Sequence, residues 1–218
     1  MESGFAWLPA LIGAVVGIPV GWSLRLLLAR VPRGVLLRRG PIEIGAAVVT
    51  GLGAGLSWPS PTTAMVLWAG VLGVGLGAVD IVHHRLPDSL TLPAIPISAA
   101  VVIGTEMAAP GTGNLLVAGG CALAATAVFW ALAAIAPRAM GLGDVKLIPS
   151  LALLTGYLSV AATLLAVLIA FVLGAVVALA GILVRRLTLT SAIAFGPFLL
   201  AGSWLVLAIP ALVSQVVG

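Results

Sequence analysis

Long apolar runs recur along the whole of this 218-residue chain, and charged residues make up only 7% of it. The mean hydropathy is +1.29. A soluble domain carries about a quarter charged residues, and a soluble helical bundle needs polar outer faces, which these runs lack. Because roughly 20 apolar residues in a helix cross a bilayer, the pattern predicts an all-α, polytopic membrane protein.

The runs predict about eight transmembrane or membrane-embedded helices in a single domain covering residues 1–218. The fourth and sixth are short for full spans. The first run follows no positively charged n-region, so we interpret it as a retained span rather than a signal peptide. The predicted segments are Trp7–Leu28, Ile42–Leu56, Thr63–Val82, Leu90–Thr105, Asn114–Ala136, Val145–Thr155, Leu158–Val184 and Ile193–Val216.

The basic residues predict the orientation of these segments. With eight spans, all ten Lys and Arg fall on one side, and the loops 57–63 and 106–114 on the other side have none. By the positive-inside rule the basic side is cytoplasmic, and both termini are extracytoplasmic. This placement indicates topology signals rather than a nucleic-acid surface. The lone Cys121 excludes a disulfide or a CxxC zinc site within the sequence.

The six acids are distributed unevenly. Glu2 and Glu106 fall in polar segments on the outer side, where solvation explains them. Glu43 begins the second segment beside an arginine-rich loop. An acid there either stabilises the helix N-terminus through the macrodipole or serves a function, and the sequence leaves both interpretations open.

Asp80, Asp88 and Asp144 lie on the predicted cytoplasmic side. Asp80 ends an apolar run, and an ionisable group at that depth is a functional candidate; the alternative is a carboxylate paired with Arg85. Asp144 follows Gly141 and Gly143, which we expect to bend the backbone. We expect Asp144 to cap a short helix beginning at Val145.

Two carboxyls in one site cannot both ionise easily, so one can hold a proton while the other acts as a base. Such a pair activates water without a metal. A proton relay and a hard-metal site remain alternatives. His83 and His84 could add ligands, but adjacent helical residues point about 100° apart, which favours a solvated loop pair.

Three motifs resemble those of one family. MGLGDVKL (140–147) is similar to the GxGD motif of the type IV prepilin peptidases. DIVHHRLPDSLTLP (80–93) resembles the family's other acidic motif, and AFGPFLLAG (194–202) resembles its FGPF segment. They occur in the family's order, and the resemblance is best over residues 62–218. It implies the fold of the GxGD aspartic membrane proteases.

Carried over residue by residue, the resemblance implies that Asp80 and Asp144 are the catalytic pair of an aspartic endopeptidase. It implies supporting positions at Asp88 of the LPD element and at Lys146. Acids near the site, with Asp88 and Glu43 as candidates, are expected to hold a basic leader. Glycines of the motifs are also implied as structural support: Gly141, Gly143 and Gly196.

The implied substrates are prepilins or pseudopilins, cut after a glycine that separates a basic leader from an apolar helix. The implied location is the cytosolic face of a bacterial inner membrane, with no metal, cofactor or nucleic acid. Many members carry two CxxC pairs between the first two spans; here that loop is RVPRGVLLRRG. This is the short form, and N-methylation is left unsupported. The alternatives are a small proton-coupled transporter or an inactive pilus-assembly scaffold.

Overall fold

The computed structural model describes residues 5–30, 39–83, 88–135, 141–185 and 194–217. Within these ranges the chain is helical, without strands, as the apolar runs predict. The helices are α1 (Trp7–Arg30), α2 (Pro41–Ser57), α3 (Thr63–His83), α4 (Asp88–Ala108), α5 (Leu115–Ile135), α6 (Leu142–Leu158), α7 (Val160–Leu183), α8 (Gly196–Ala208) and α9 (Pro210–Val217).

Five of these helices are long and apolar enough to cross a membrane: α1, α3 as far as Asp80, α4, α5 and α7. The remaining helices are shorter. α2 and α6 have 17 residues each, and α8 has 13. Seventeen residues is about the lower limit for a spanning helix. The prediction of an all-α polytopic membrane protein is confirmed.

Two predicted segments differ from the observed helices. The fourth is not short, because α4 runs for 21 residues through Pro93 and Pro96. The eighth is broken at Ile209, which leaves the helical conformation before Pro210 begins α9. Proline lacks an N–H and disfavours the helical conformation in the preceding residue, which explains this break.

Helices α1, α2 and α3 alternate in direction along the bundle. Leu28, Ile42 and Val79 pack together, which joins the end of α1, the start of α2 and the end of α3. At the opposite end, the Ala6 N–H donates to the Gly55 carbonyl oxygen at the α1–α2 pair. We call the first of these the Asp80 end of the bundle.

The charges follow this polarity. Within the described ranges, every Lys and Arg lies at the Asp80 end or in the last turns leading to it: Arg25, Arg30, Arg39, Lys146 and Arg185. Glu106 lies at the opposite end, where it accepts a 2.6 Å hydrogen bond from the Tyr157 hydroxyl. The bundle therefore has one basic end, as the predicted span count requires.

Helices α1 and α2 pack closely because glycines form a ridge on α1. Gly13, Gly17 and Gly21 recur every four residues and so share one face. A Cβ on Gly13 would lie 2.6 Å from the Thr50 carbonyl oxygen, and one on Gly21 would lie 2.7 Å from the Glu43 Cα. Small residues allow such backbone approach between helices in membranes.

Helices α3 and α6 occupy the interior. Eleven of the 17 residues of α6 are buried. Leu76 of α3 and Leu147 of α6 belong to one apolar cluster, which also includes Ala94 of α4 and Leu199 of α8. By contrast, only 11% of the apolar window of α7 is buried. The two helices that carry Asp80 and Asp144 are thus surrounded by others, while α7 presents an apolar outer face.

Candidate active site

Asp80 lies near the end of α3 and is only 4% exposed. The fifteen residues ending at Asp80, VLWAGVLGVGLGAVD, have no other charged side chain. Leu76 and Val79 beside it are also buried. The apolar residues of this segment pack inside the bundle, and the Asp80 carboxyl is therefore buried with them.

Asp144 lies in the first turn of α6 and is 6% exposed. The predicted cap of a helix starting at Val145 is wrong, because α6 begins at Leu142 and Gly141 is its N-cap. The Asp144 and Val145 N–H groups both donate to the Gly141 carbonyl oxygen, at 3.1 and 3.5 Å. Asp144 is therefore the third helical residue, where a negative charge is favoured by the helix dipole.

The glycine pair does not form the irregular turn that the sequence suggests. Gly141 has φ −73° and ψ 139°, which any residue can adopt, and Gly143 lies within the helix. A Cβ on Gly141 would lie 3.4 Å from Asp144 Oδ2, an ordinary van der Waals contact. The Asp144 carboxyl folds back over the helix N-terminus and is hydrogen-bonded by the Gly141 backbone.

The two buried acids interact electrostatically. Asp144 is in α6, outside the five helices long enough to cross a membrane. Burial, followed by the negative charge of Asp80, raises the pKa of Asp144 to about 6, against a smaller opposing effect of the Gly141 backbone. Two carboxyls coupled in this way retain a proton more strongly than either would alone. The structure therefore brings together the two residues singled out from the sequence.

Asp88 and Lys146 form an ion pair beside these acids. Lys146 Nζ lies 2.6 Å from Asp88 Oδ1, linking the first turn of α4 to the second turn of α6. The Asp88 side chain is 59% exposed and that of Lys146 is 37% exposed. Both residues were predicted to lie near the site, but their pairing was not, because it spans 58 residues and has no local signal.

Glu43 is held by partners within this chain. Arg25 Nε donates to Glu43 Oε1 at 2.7 Å, and the Gly40 N–H donates to Oε2 at 2.9 Å. This is the helix-start role that the sequence left open, because an acid at the third helical position satisfies the N-cap N–H. Arg25, on the preceding helix, was not singled out from the sequence.

Gly196 is the first residue of α8 and is buried. Of the two histidines, the side chain of His83 and all of His84 lie outside the described residues, as does Arg85. Among the side chains that the structure does describe, no three His, Cys, Asp or Glu form a group that could hold a metal ion.

Residues 72–179 of the chain match the type IV leader peptidase family. The matched range includes both buried acids and the Asp88–Lys146 pair. A prepilin leader peptidase/N-methyltransferase of Stutzerimonas stutzeri is 27% identical over 170 residues, which cover 76% of this chain. The chain belongs to the type IV leader peptidase family. The resemblance to this family is confirmed, and the matched range includes the motifs at 80–93 and 140–147.

The match to the Stutzerimonas stutzeri protein covers 56% of that relative's length, so the chain corresponds to little more than half of it. No solved structure matches the chain significantly. Glu43 and Gly196 lie outside the range matched to the type IV leader peptidase family.

Proposed function

We propose that the protein is a membrane-embedded aspartic endopeptidase that removes the basic leader of type IV prepilin-like proteins. Asp80 and Asp144 activate water, and cleavage follows a glycine at the cytosolic membrane face. Family membership supports the reaction class. The name of the Stutzerimonas stutzeri relative supports prepilins as the substrates.

The observation that carries this proposal is the pair of buried, coupled carboxyls on two interior helices. Asp80 and Asp144 are 4% and 6% exposed at the same end of the bundle. The raised pKa of Asp144 means that the pair retains one proton at higher pH than a solvated carboxyl does. A pair holding one proton supplies a base and an acid together, as acid–base hydrolysis requires.

In the proposed reaction, the ionised carboxyl takes a proton from water while the oxygen attacks the peptide carbonyl carbon. The protonated carboxyl donates a hydrogen bond to the carbonyl oxygen, where negative charge develops. A proton then passes to the leaving nitrogen and the C–N bond breaks, which gives a carboxylate and a free amine. The two carboxyls supply every proton transfer, so no metal is needed.

The location of the charges supports the proposed side of the membrane. In the described ranges the basic residues and the two acids share the Asp80 end. The positive-inside rule makes this end cytosolic, in a bacterial inner membrane with both termini outside. A substrate anchored by an apolar helix would then present its leader junction to the acids from the cytosol.

The leader itself raises an electrostatic problem, because it is basic and the Asp80 end is basic too. Asp88 and Glu43 remain our candidates for holding it. Asp88 is the better placed, since its side chain is largely exposed and adjoins Asp144's helix through Lys146. Glu43 is already neutralised by Arg25. An exposed ion pair is worth about 0–1 kcal/mol, so a leader lysine can replace Lys146 at little cost.

The proposal is tested by co-expressing the full chain with a prepilin-like protein and following leader removal on a gel. Wild type should shorten the substrate, whereas Asp144→Ala should leave it intact at equal protein level in the membrane. A substrate whose junction glycine is changed to valine should resist cleavage. Persistent full-length substrate with wild type, or equal cleavage by Asp144→Ala, would overturn the proposed function.

A further inference from the structure

An apolar groove of about 470 Å³ lies between α1, α3 and α4. Its floor is formed by α3, from Trp68 to Leu76. One wall is α1, which includes Leu27, and the other is α4, which includes Ile97. Leu27 and Ile97 are exposed, so the groove opens to the outer surface of the bundle. This volume lies within the range of sites that bind ligands, about 300–1,000 Å³.

The groove exists because its two walls are held by different neighbours. Helix α1 is packed against α2 by the glycine ridge, and α4 is packed against α6. Within the described residues, no Cα of α1 lies within 8 Å of a Cα of α4. Among the described helices, only α3 touches both, so none of them fills the space above it.

The groove leads directly to the candidate active site. Leu76, at one end of the floor, precedes Asp80 by one helical turn. Ser89, at the same end of the α4 wall, directly follows Asp88. A helix lying in the groove would therefore end beside the two acids, and chain continuing beyond it would pass over them.

We propose that this groove receives the first turns of the substrate's apolar helix, an inference that rests on the proposed function. The floor from Trp68 to Leu76 corresponds to about 12 Å, or about two helical turns. Two turns would fill the groove, and the rest of the substrate helix would remain in lipid. The scissile bond would then lie just outside the groove, at the level of Asp80.

The driving force for such docking is packing rather than the hydrophobic effect. Lipid tails are as apolar as the groove, so a helix gains only where it fits better than acyl chains do. A concave site between three helices offers this advantage, because a regular helix can contact all three walls at once. The outer face of α7 is equally apolar but lies outside this groove.

Photo-crosslinking tests the inference. A photoreactive residue replaces Ile97 in the groove or Val172 on α7, in full-length protein carrying Asp144→Asn so that the substrate stays uncut. The two positions are 43% and 52% exposed. Each lies about three turns from the Asp80 end. We expect substrate to be captured from position 97 and not from position 172.

Equal capture from both positions, or capture of lipid alone from position 97, overturns the inference. The crosslink reports binding without cleavage, so it is read separately from the activity of wild type in the same membranes. If wild type cleaves and position 97 captures nothing, the proposed function stands and the groove assignment fails. If wild type fails to cleave, the proposed function fails, and crosslinking still decides whether the groove binds an apolar helix.

A second variant fills the groove. Ile97→Trp should raise the KM for a helix-anchored substrate about tenfold, equivalent to about 1.4 kcal/mol. Its kcat should be unchanged, and Val172→Trp should leave both constants unchanged. An unchanged KM in Ile97→Trp, with the protein still inserted and folded, contradicts the inference.

Discussion

At the scale of single residues, two of the acids that the structure describes are isolated from water, and the others are exposed or hydrogen-bonded. Asp80 and Asp144 are buried, whereas Asp88 and Glu43 have cationic partners. The sequence predicted the first two because each adjoins an apolar run. It could not predict that Lys146 pairs with Asp88, because only the packing of α4 against α6 brings them together. It also misplaced Asp144 relative to the helix start, since glycine was taken as a helix breaker.

The pH dependence of stability should reveal the burial of Asp144. Its pKa is raised from 3.8 to about 6 in the folded protein, so folding favours the protonated form. Its contribution to stability is therefore fully present below about pH 4 and lost as the pH rises through 6. The Asp144→Asn protein should lack this loss when thermal unfolding in detergent is followed between pH 4 and 7.

Ser150→Ala, a neutral change on the same helix, is the control and should keep the wild-type pH dependence. If Asp144→Asn and wild type lose stability in parallel over this pH range, Asp144 does not titrate with a raised pKa.

At the scale of helices, hydropathy located α1 to α7, because an apolar run in a membrane has few alternatives to a helix, but it merged α8 and α9 into one segment. Which helices pack against each other was harder to predict from the sequence. The ridge of Gly13, Gly17 and Gly21 follows from its four-residue spacing in the sequence, although it was not among the predictions. The break at Ile209 was also readable, from Pro210. The groove, in contrast, arises because α1 and α4 are not in contact, and no local sequence pattern predicts which helices stay apart.

Gly17→Ala should separate α1 from α2. A Cβ at this position would lie 2.6 Å from the Ala47 Cα, and backbone cannot move aside as a flexible side chain can. Overpacking of this kind costs about 1–3 kcal/mol. We expect a matching loss in the free energy of unfolding, measured by denaturant titration in detergent.

Gly119→Ala on α5 is the matched control, because a Cβ there would meet nothing within 4 Å. It should be neutral or slightly stabilising, since alanine favours helix over glycine by about 0.5–1 kcal/mol. Equal stability of the two variants would show that the glycine ridge does not set the α1–α2 distance.

At the scale of the whole molecule, antiparallel helices collect Asp80, Asp144 and the described basic residues at one end. The predicted span count implied this polarity, and the described helices have it. The relative placement of α3 and α6 came from the resemblance of the motifs, because hydropathy does not say which of several helices become neighbours. The range matched to the family includes both acids, and burial and the negative charge of Asp80 raise the pKa of Asp144.

Reporter fusions test which side of the membrane this end faces. Reporters inserted in the loops 57–63 and 106–114 should be extracytoplasmic, because the described Lys and Arg lie at the other end. A reporter placed after Arg30 should be cytosolic. A cytosolic signal from either of the first two loops would put the acids on the wrong side for a leader in the cytosol.

The central claim is that Asp80 and Asp144 act as one catalytic unit. The direct test is the rate of leader cleavage by purified wild type, Asp80→Asn, Asp144→Asn and the double variant. Each single change should reduce the rate to background, and the double variant should be no slower, since groups that act as a unit are not additive. Glu106→Gln, the same chemical change at the opposite end, should retain wild-type activity. Near-wild-type turnover by either single variant would contradict the account.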